Sequence, residues 1–254
     1  MPAPHPACPA GWHVHDIVPH LQMRVVRDMP GLSPALEAEI DRLWAAAQRR
    51  MDGRLFNGRV FSADAIAPDH LTGHWTEFRR IVAQMDQPGL FEALRLRPLA
   101  VNGILLGPDG VVLGQRPADA VYQPGQWQAP PAGSVDIRSA RPDGSVDVLA
   151  ALFAELREEV GLPADAVHDP RLLGIVEHAG SHVLDLGIAL RTRLRAAEIR
   201  AAHAAAGDGE YRSLAVIPPA DLPGFLAQAG SALAVQTPLF LARMGLLRRG
   251  TGTG

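Results

Sequence analysis

The stretch DVLAALFAELREEVGLP, residues 147–163, decides the fold prediction because it combines a helix signature with a dense group of acids. Asp147 is a favourable N-cap, and apolar residues recur after it at helical spacing. Gly161, followed shortly by Pro163, is typical of a helix end. The segment therefore predicts one amphipathic helix that begins at Asp147 and ends at Gly161.

Three carboxylates share one face of this predicted helix, about a third of a revolution from the apolar stripe at roughly 100° per residue. They are Glu155, Glu158 and Glu159, at positions i, i+3 and i+4. Clustered carboxylate oxygens suit a hard cation such as Mg²⁺, which also binds substrate phosphates. A solvated acidic surface is the alternative, because charged helix faces are common. The neighbouring sequence is needed to decide between the two.

The residues before the helix supply that context. VNGILLGPDGVVLGQR, residues 101–116, predicts a β-hairpin, and PGQWQAPPAGSVD, residues 124–136, is a loop rich in Pro and Gly. Hairpin, glycine loop and acidic helix in this order resemble the Nudix hydrolases. AELREEVGL, residues 154–162, matches the second half of the family signature, with Ala154 in the place of its Arg.

The first half of the signature is stretched. Gly133 begins it, residues 137–146 resemble an insertion, and Val146 lies where the family has a Glu. These departures are similar to those of the Nudix branch of UDP-glucose and UDP-galactose hydrolases, which carry an extra N-terminal domain. A Leu-(Phe/Tyr)-Asn-Gly segment of that domain is matched here by residues 55–58. The resemblance extends over about residues 50–220.

The resemblance implies a metal-dependent hydrolase that cleaves the diphosphate of a nucleoside diphosphate sugar, with UDP-glucose or UDP-galactose giving UMP and sugar 1-phosphate. ADP-ribose, coenzyme A and dinucleoside polyphosphates are alternative substrates, and a non-catalytic nucleotide-binding module is the alternative class. The expected cofactor is Mg²⁺, or alternatively Mn²⁺, held by Glu155, Glu158 and Glu159. The expected catalytic residues are Glu155, Asp185 and Glu210. The expected substrate-binding residues are Phe56, Asn57, Gly58, Gly133 and Arg116, whose planar guanidinium suits phosphate.

Composition narrows the class of protein. The chain has 254 residues, of which 47% are hydrophobic, so a sizeable core is expected. A formal net charge of −3 argues against polymeric nucleic acid as a partner, since nucleic-acid binders usually carry a basic stripe. The single Cys8 excludes an intramolecular disulfide, and no apolar run is long enough to span a membrane. We expect a cytoplasmic protein that is a monomer or a homodimer.

The chain is expected to have an α+β fold that divides near Pro98. Residues 1–97 would form an N-terminal α+β domain that contributes to the substrate site, residues 98–249 a Nudix-like α/β/α sandwich, and residues 250–254 a flexible tail. In the first part we predict strands within 12–27, a helix from Ser33 to about Met51, a strand at 60–66, and helices at 77–85 and 89–94. In the second part we predict the hairpin, the acidic helix, strands at 172–176 and 183–194, a helix at 196–206, a strand at 212–217 and a last helix at 238–247.

Overall fold

The computed structural model describes residues 8–120, 123–207 and 209–247. The first seven residues of the predicted N-terminal domain and the predicted tail, residues 250–254, lie outside these ranges. The described elements are β1 (Trp12–His15), β2 (Gln22–Val25), α1 (Pro34–Arg50), β3 (Arg59–Ile66), β4 (His70–Glu77), α2 (Phe78–Asp86), α3 (Phe91–Leu94), β5 (Leu99–Gly107), β6 (Gly110–Gln115), β7 (Trp127–Gln128), β8 (Ala132–Ser134), α4 (Val148–Glu155), β9 (Val167–His178), β10 (Leu184–Thr192), α5 (Ala196–Ala206), β11 (Ser213–Ile217), α6 (Leu222–Ala229) and α7 (Gln236–Arg243).

A mixed sheet of eight strands forms the centre of the molecule, in the order β1-β9-β10-β5-β6-β11. β8 pairs with β5 and β7 pairs with β6, while β10 and β5 are the parallel neighbours. Side chains alternate between the two faces of a strand. Leu186 on β10 accordingly packs with Leu152 of α4 on one face, whereas Ile104 on β5 packs with Phe240 of α7 on the other. Helices therefore cover both faces, and the predicted α/β/α sandwich is confirmed.

A second sheet of three strands, in the order β2-β4-β3, lies in the N-terminal part. One of its faces packs with α1 and α2, in a cluster that includes Ile40, Val60 and Ile81. Its other face contributes Phe61 and Leu71 to the core that also contains residues of α4. The N-terminal part and the larger sheet thus share one core. The domain boundary near Pro98 stays a prediction.

The insertion at residues 137–146 lies along this second sheet. The amide of Val25 donates to the carbonyl of Gly144 at 2.9 Å, and the amide of Val146 donates to the carbonyl of Met23 at 3.0 Å. The Arg24 guanidinium also donates to the carbonyl of Asp143 at 2.9 Å. The insertion is therefore held by β2 and forms part of the junction between the two sheets.

Most predicted elements are present. The helix after Ser33 is confirmed, with the Ser33 hydroxyl accepting from the amide of Leu36 at 3.3 Å, and α5 has the predicted bounds. The last helix was predicted too late, since α7 begins at Gln236 and ends at Arg243. β4 and α6 were not predicted, and the short strands β7 and β8 lie in the stretch 124–136 that was predicted to be a loop. None of the described helices is long and apolar enough to span a bilayer.

Candidate active site

The large sheet splits next to α4. β5 and β6 pair at Leu106–Val111 and Gly107–Gly110, close to their hairpin turn. Farther from the turn, the first half of β5 pairs with β8 and the end of β6 pairs with β7. β5 and β6 thus separate, and β8 and β7 form two edges that face each other. The acidic end of α4 lies against β8.

The acidic segment is not one regular helix. α4 ends at Glu155, and Leu156–Val160 forms a π-helical turn closed by Gly161 at φ +76°. A π turn contains more residues than an α turn, so each residue advances by a smaller angle. Glu159 and Glu158, at the centre of this turn, contact different partners, namely the amide of Ala132 and Arg138. The prediction of one regular helix from Asp147 to Gly161 is therefore wrong over its last five residues.

Glu155 and Glu159 both meet the backbone of β8. The Glu155 carboxylate lies directly against the α-carbon of Gly133, in space that a side chain at position 133 would fill. Glu159 is buried, with 2% of its surface exposed, and its Oε2 accepts from the amide of Ala132 at 2.8 Å. The sequence predicted that Gly133 belongs to the site, and this close approach explains why the position has no side chain.

Glu158 points to a different partner. Its Oε1 lies 3.2 Å from Nη1 of Arg138, and its side chain is 48% exposed. Arg138 belongs to the insertion and also donates through Nε to Asp136 at 2.7 Å. Glu158 is thereby held at the outer side of the acidic group.

The opposite edge of the split presents polar groups from β6, β7 and the segment before β11. Arg116 is 8% exposed and forms an ion pair of 2.6 Å with Glu210. Its Nε is buried and has no hydrogen-bond partner among the described residues. Gln128 donates through Nε2 to the hydroxyl of Tyr211 at 2.5 Å. Burial and the nearby charge of Glu159 raise the pKa of Tyr211 well above its usual range, so this hydroxyl stays protonated near neutral pH.

Asp185 is not brought to these carboxylates. Leu184 and Leu186 pack in the same core as α4, and the alternation of side chains therefore turns Asp185 to the other face of the sheet. There its Oδ1 accepts from Nδ2 of Asn102 at 2.8 Å, and its Oδ2 has no partner among the described residues. Burial raises the pKa of Asp185 to about 7, against the opposing effect of the bond from Asn102.

The residues present fit a divalent cation in part. Carboxylate oxygens are the donors that Mg²⁺ and Mn²⁺ accept, and Glu155 lies in a cradle that only a glycine leaves open. In the described residues, however, no three His, Cys, Asp or Glu side chains are arranged to hold an ion together. Glu155 and Glu159 therefore fit as ligands of a divalent cation. Glu158 would have to leave Arg138 to join them.

The predicted substrate residues of the N-terminal part lie on an exposed loop. Phe56 is 84% exposed, and the side-chain oxygen of Asn57 accepts from the amide of Arg79 at 2.9 Å, within the first turn of α2. Arg54 lies 3.5 Å from Asp119, on the loop that follows Arg116. Asn57 thus has a capping role that the sequence did not reveal, and the Arg54 contact ties its loop to the one beside the split.

Two residues of the site were missed by the sequence analysis, namely Gln128 and Tyr211. Gln128 lies in a segment with the composition of a loop, and only its pairing with Gly114 turns it toward α4. Tyr211 follows the predicted Glu210, but its burial depends on Gly114, whose missing side chain leaves the space for the tyrosine ring. Both depend on contacts distant in sequence, so no local signal indicates them.

No protein-family model matches the chain, and no curated protein matches it. Solved structures are similar to part of it. The MutT protein of Methanosarcina mazei is 16% identical over 58% of this chain and 92% of that chain, with a TM-score of 0.41. A Nudix-family hydrolase of Clostridium perfringens is 12% identical over 59% and 95%, with a TM-score of 0.36. An ADP-ribose pyrophosphatase of Streptococcus suis is 17% identical over 49% and 76%, with a TM-score of 0.31. Similarity at this level does not assign a family, so the functional argument rests on the residues of the split sheet.

Proposed function

We propose that this chain is a Nudix-type hydrolase that cleaves the diphosphate of a nucleoside diphosphate sugar, with UDP-glucose or UDP-galactose giving UMP and sugar 1-phosphate. The observation that carries the proposal is the convergence of Glu155 and Glu159 on the β8 backbone, with Arg116 on the facing edge. A diphosphate needs an anion-binding group beside oxygen ligands for a cation, and the two edges supply both types.

Mg²⁺, or alternatively Mn²⁺, is part of the proposal. Glu155 and Glu159 would hold the ion, joined by Glu158 after release from Arg138. When bound, the ion would neutralise charge on the phosphate oxygens and orient a water. The protein's own contribution is the fixed placement of carboxylates, because Gly133 admits Glu155 and the amide of Ala132 fixes Glu159.

The base that accepts the water proton is proposed to be Glu155 or Glu210. A general base must lie within hydrogen-bonding reach of that water, and both residues border the split. Asp185 was the third candidate from the sequence. Its position on the far face of the sheet favours the other two.

The choice of a UDP-sugar rests on the N-terminal part. The exposed Phe56 offers a ring on which a base could stack, and its loop is linked to the loop beside Arg116 through Arg54 and Asp119. The oxygen of Asn57 caps α2, and its amide nitrogen can donate to a carbonyl oxygen of the uracil edge. These groups and the insertion accompany the acidic helix in the branch that the sequence resembles.

A product assay tests the proposal. The protein with Mg²⁺ should release UMP from UDP-glucose or UDP-galactose at a higher kcat/KM than it hydrolyses ADP-ribose, coenzyme A or dinucleoside polyphosphates. Turnover should stop with a chelator and fall by at least about 100-fold in Glu155→Gln, while Glu92→Gln, at an exposed glutamate outside the site, should leave it unchanged. ¹⁸O-labelled water should transfer its oxygen to one of the two phosphate products.

The outcomes separate the alternatives. A preference for ADP-ribose would refute the UDP-sugar assignment and keep the reaction class. Nucleotide binding without product from any substrate would instead indicate a non-catalytic module. Asn57→Asp keeps the oxygen that caps α2 but removes the amide donor, so it should weaken UDP-sugar use without lowering the thermal unfolding temperature. Full activity of Asn57→Asp would contradict the role of that amide in recognition.

A further inference from the structure

A cavity lies at the end of α4 opposite to the acidic residues. It is bordered by β2, by the end of the insertion, by the first residues of α4 and by the start of β9. α4 begins at Val148 and ends at Glu155, so its two ends are roughly 10 Å apart at about 1.5 Å per residue. The cavity has a volume of about 720 Å³, within the range of small-molecule sites. It can therefore hold a ligand away from the split sheet.

Positive charge dominates the lining of this cavity. Arg24, Arg141 and Arg171 line it, and Asp147 is the one carboxylate among its described lining residues. Asp147 already accepts from Arg141 at 2.5 Å and from the amide of Ala150 at 3.0 Å. Three guanidinium groups and one carboxylate leave a surplus of two positive charges, in a chain whose formal net charge is −3. The cavity therefore favours an anion over a neutral or cationic ligand.

Two of the three arginines have no hydrogen bond to a carboxylate. Arg171 is exposed, and its guanidinium has no hydrogen-bond or ion-pair partner among the described residues. Arg24 donates to the carbonyl of Asp143, whereas the Asp143 carboxylate accepts from the amide and the hydroxyl of Ser145 at 2.9 and 2.6 Å. A planar guanidinium matches a carboxylate or a phosphate with two parallel hydrogen bonds. Arg24 and Arg171 are therefore available to bind such a group.

The rest of the lining is largely aliphatic. Six apolar side chains of the cavity belong to the core that contains α4 or pack against it, namely Leu21, Met23, Val146, Val148, Leu149 and Leu172. None of the described lining residues is Phe, Tyr or Trp, the side chains on which a nucleotide base usually stacks. The lining therefore suits an aliphatic body better than a nucleotide.

We propose that this cavity is a second ligand site, which binds a small organic anion with a carboxylate or phosphate group on an aliphatic body. The anionic group pairs with Arg171 and Arg24, and the aliphatic part lies on Leu21 and Leu172. The site is independent of the proposed diphosphate hydrolysis, because its lining contains none of the candidate catalytic, metal-binding or substrate-binding residues.

Three probes that share one aliphatic chain test the inference. Octanoate and octyl phosphate supply the two anionic groups, and octan-1-ol supplies the chain without a charge. In isothermal titration calorimetry, at concentrations at which the probes are monomeric, at least one of the two anions should bind about 10-fold or more tightly than octan-1-ol. Binding of only one anion would support the inference and identify the preferred group. Equal affinity for octan-1-ol, or no binding of either anion, would overturn the inference.

Substitutions at Arg171 assign the binding to this cavity. Arg171→Gln should weaken binding of the anion by about 10-fold or more, and Arg171→Glu should weaken it further. Because Arg171 is exposed, both variants should unfold at the wild-type temperature. Arg49→Gln is the matched control, since Arg49 is also exposed and its guanidinium has no partner among the described residues, and it should bind the anion like the wild type. Unchanged affinity in Arg171→Gln would overturn the inference.

Methyl NMR during the same titration locates the probe. The largest shifts should occur at the methyl groups of Leu21, Val148, Leu149 and Leu172, whereas Ile104, which packs on the other face of the large sheet, should not respond. Shifts confined to other methyl groups would overturn the inference. The titration needs neither a nucleotide nor a metal. A protein that binds the anion but hydrolyses no nucleotide would therefore keep this site and lose the proposed function, and an active hydrolase that binds no anion would show the reverse.

Discussion

Replacing Asp185 with asparagine should make the protein more stable at neutral and alkaline pH. Asp185 is 3% exposed, its Oδ2 has no partner among the described residues, and the bond from Asn102 satisfies Oδ1. Ionisation therefore places a poorly compensated charge inside the protein. An asparagine keeps the size of the side chain and the oxygen that accepts from Asn102, and it carries no charge at any pH.

The magnitude follows from the pKa of Asp185, which burial raises from 3.8 to about 7. Because the folded-state pKa is above the unfolded-state value, the contribution of Asp185 to the free energy of unfolding is fully present below about pH 3.8. This contribution is lost as the pH rises, and the loss is complete above about pH 7. A pKa difference of about three corresponds to about 4 kcal/mol at 1.36 kcal/mol for each unit of pH. Asp185→Asn should therefore gain up to about 4 kcal/mol above pH 7 and only about 1 kcal/mol near pH 4.5.

Urea unfolding at pH 4.5, 6 and 8 measures this difference between the variant and the wild type. Asp165→Asn is the control, because Asp165 is exposed and its replacement should have no comparable pH dependence. A gain that is the same at all three pH values would refute the account of the buried charge, as would a loss of stability at pH 8. Activity of the same variant also decides the role predicted from sequence. Full turnover would remove Asp185 from the catalytic residues.

Three further substitutions test other contacts. Glu177→Gln should lower the free energy of unfolding by about 2–3 kcal/mol at pH 7. Burial alone would raise the pKa of Glu177, but bonds from His15 and Arg97 lower it to about 2. The stabilisation by Glu177 is therefore present above about pH 4.5 and lost toward pH 2. Equal losses in urea at pH 7 and pH 3 would contradict this. Gly114→Ala should lose about 1–3 kcal/mol in thermal unfolding because the added methyl meets the Tyr211 ring; Gly224→Ala, in open space, should lose nothing. Arg138→Gln should change the free energy of unfolding by less than about 1 kcal/mol, since the pair of Arg138 with Glu158 is exposed. The same change releases Glu158 and should tighten Mn²⁺ binding. Unchanged Mn²⁺ binding would exclude Glu158 as a ligand.

The elements that could be predicted from the sequence are those that short-range chemistry specifies. Ser33 followed by Pro34 is a complete helix start, and Gly161 at φ +76° ends the acidic segment as its sequence indicates. β4 was missed because its residues 70–77 contain two histidines and a glycine, and they become a strand only by pairing with β2 and β3. The pairing with β3 is that of a short hairpin, whereas the pairing with β2 joins segments about 45 residues apart and leaves no local pattern to read.

The site was predictable to a similar extent. The acidic residues and Gly133 could be identified from their order along the chain, because the helix and the loop before it are neighbours in sequence. The π-helical turn could not, and it is the segment in which Glu159 contacts the amide of Ala132 while Glu158 contacts Arg138. Such a turn arises where packing favours one more residue than an α turn holds. The burial of Glu159 also argues against the alternative of a solvated acidic surface, and a change at Glu159 is expected to affect stability as well as activity.

The insertion and the N-terminal part have one physical reason to occur together. β2 would expose its edge beyond β4, and unpaired edges attract other strands. The insertion covers that edge through the bonds of Val25 to Gly144 and of Val146 to Met23, while the amide of Phe61 donates to the carbonyl of Val135 at 2.8 Å. The same insertion carries Arg138, which holds Glu158. Docking of the N-terminal sheet is thereby coupled to the acidic end of α4 through a single stretch of about ten residues.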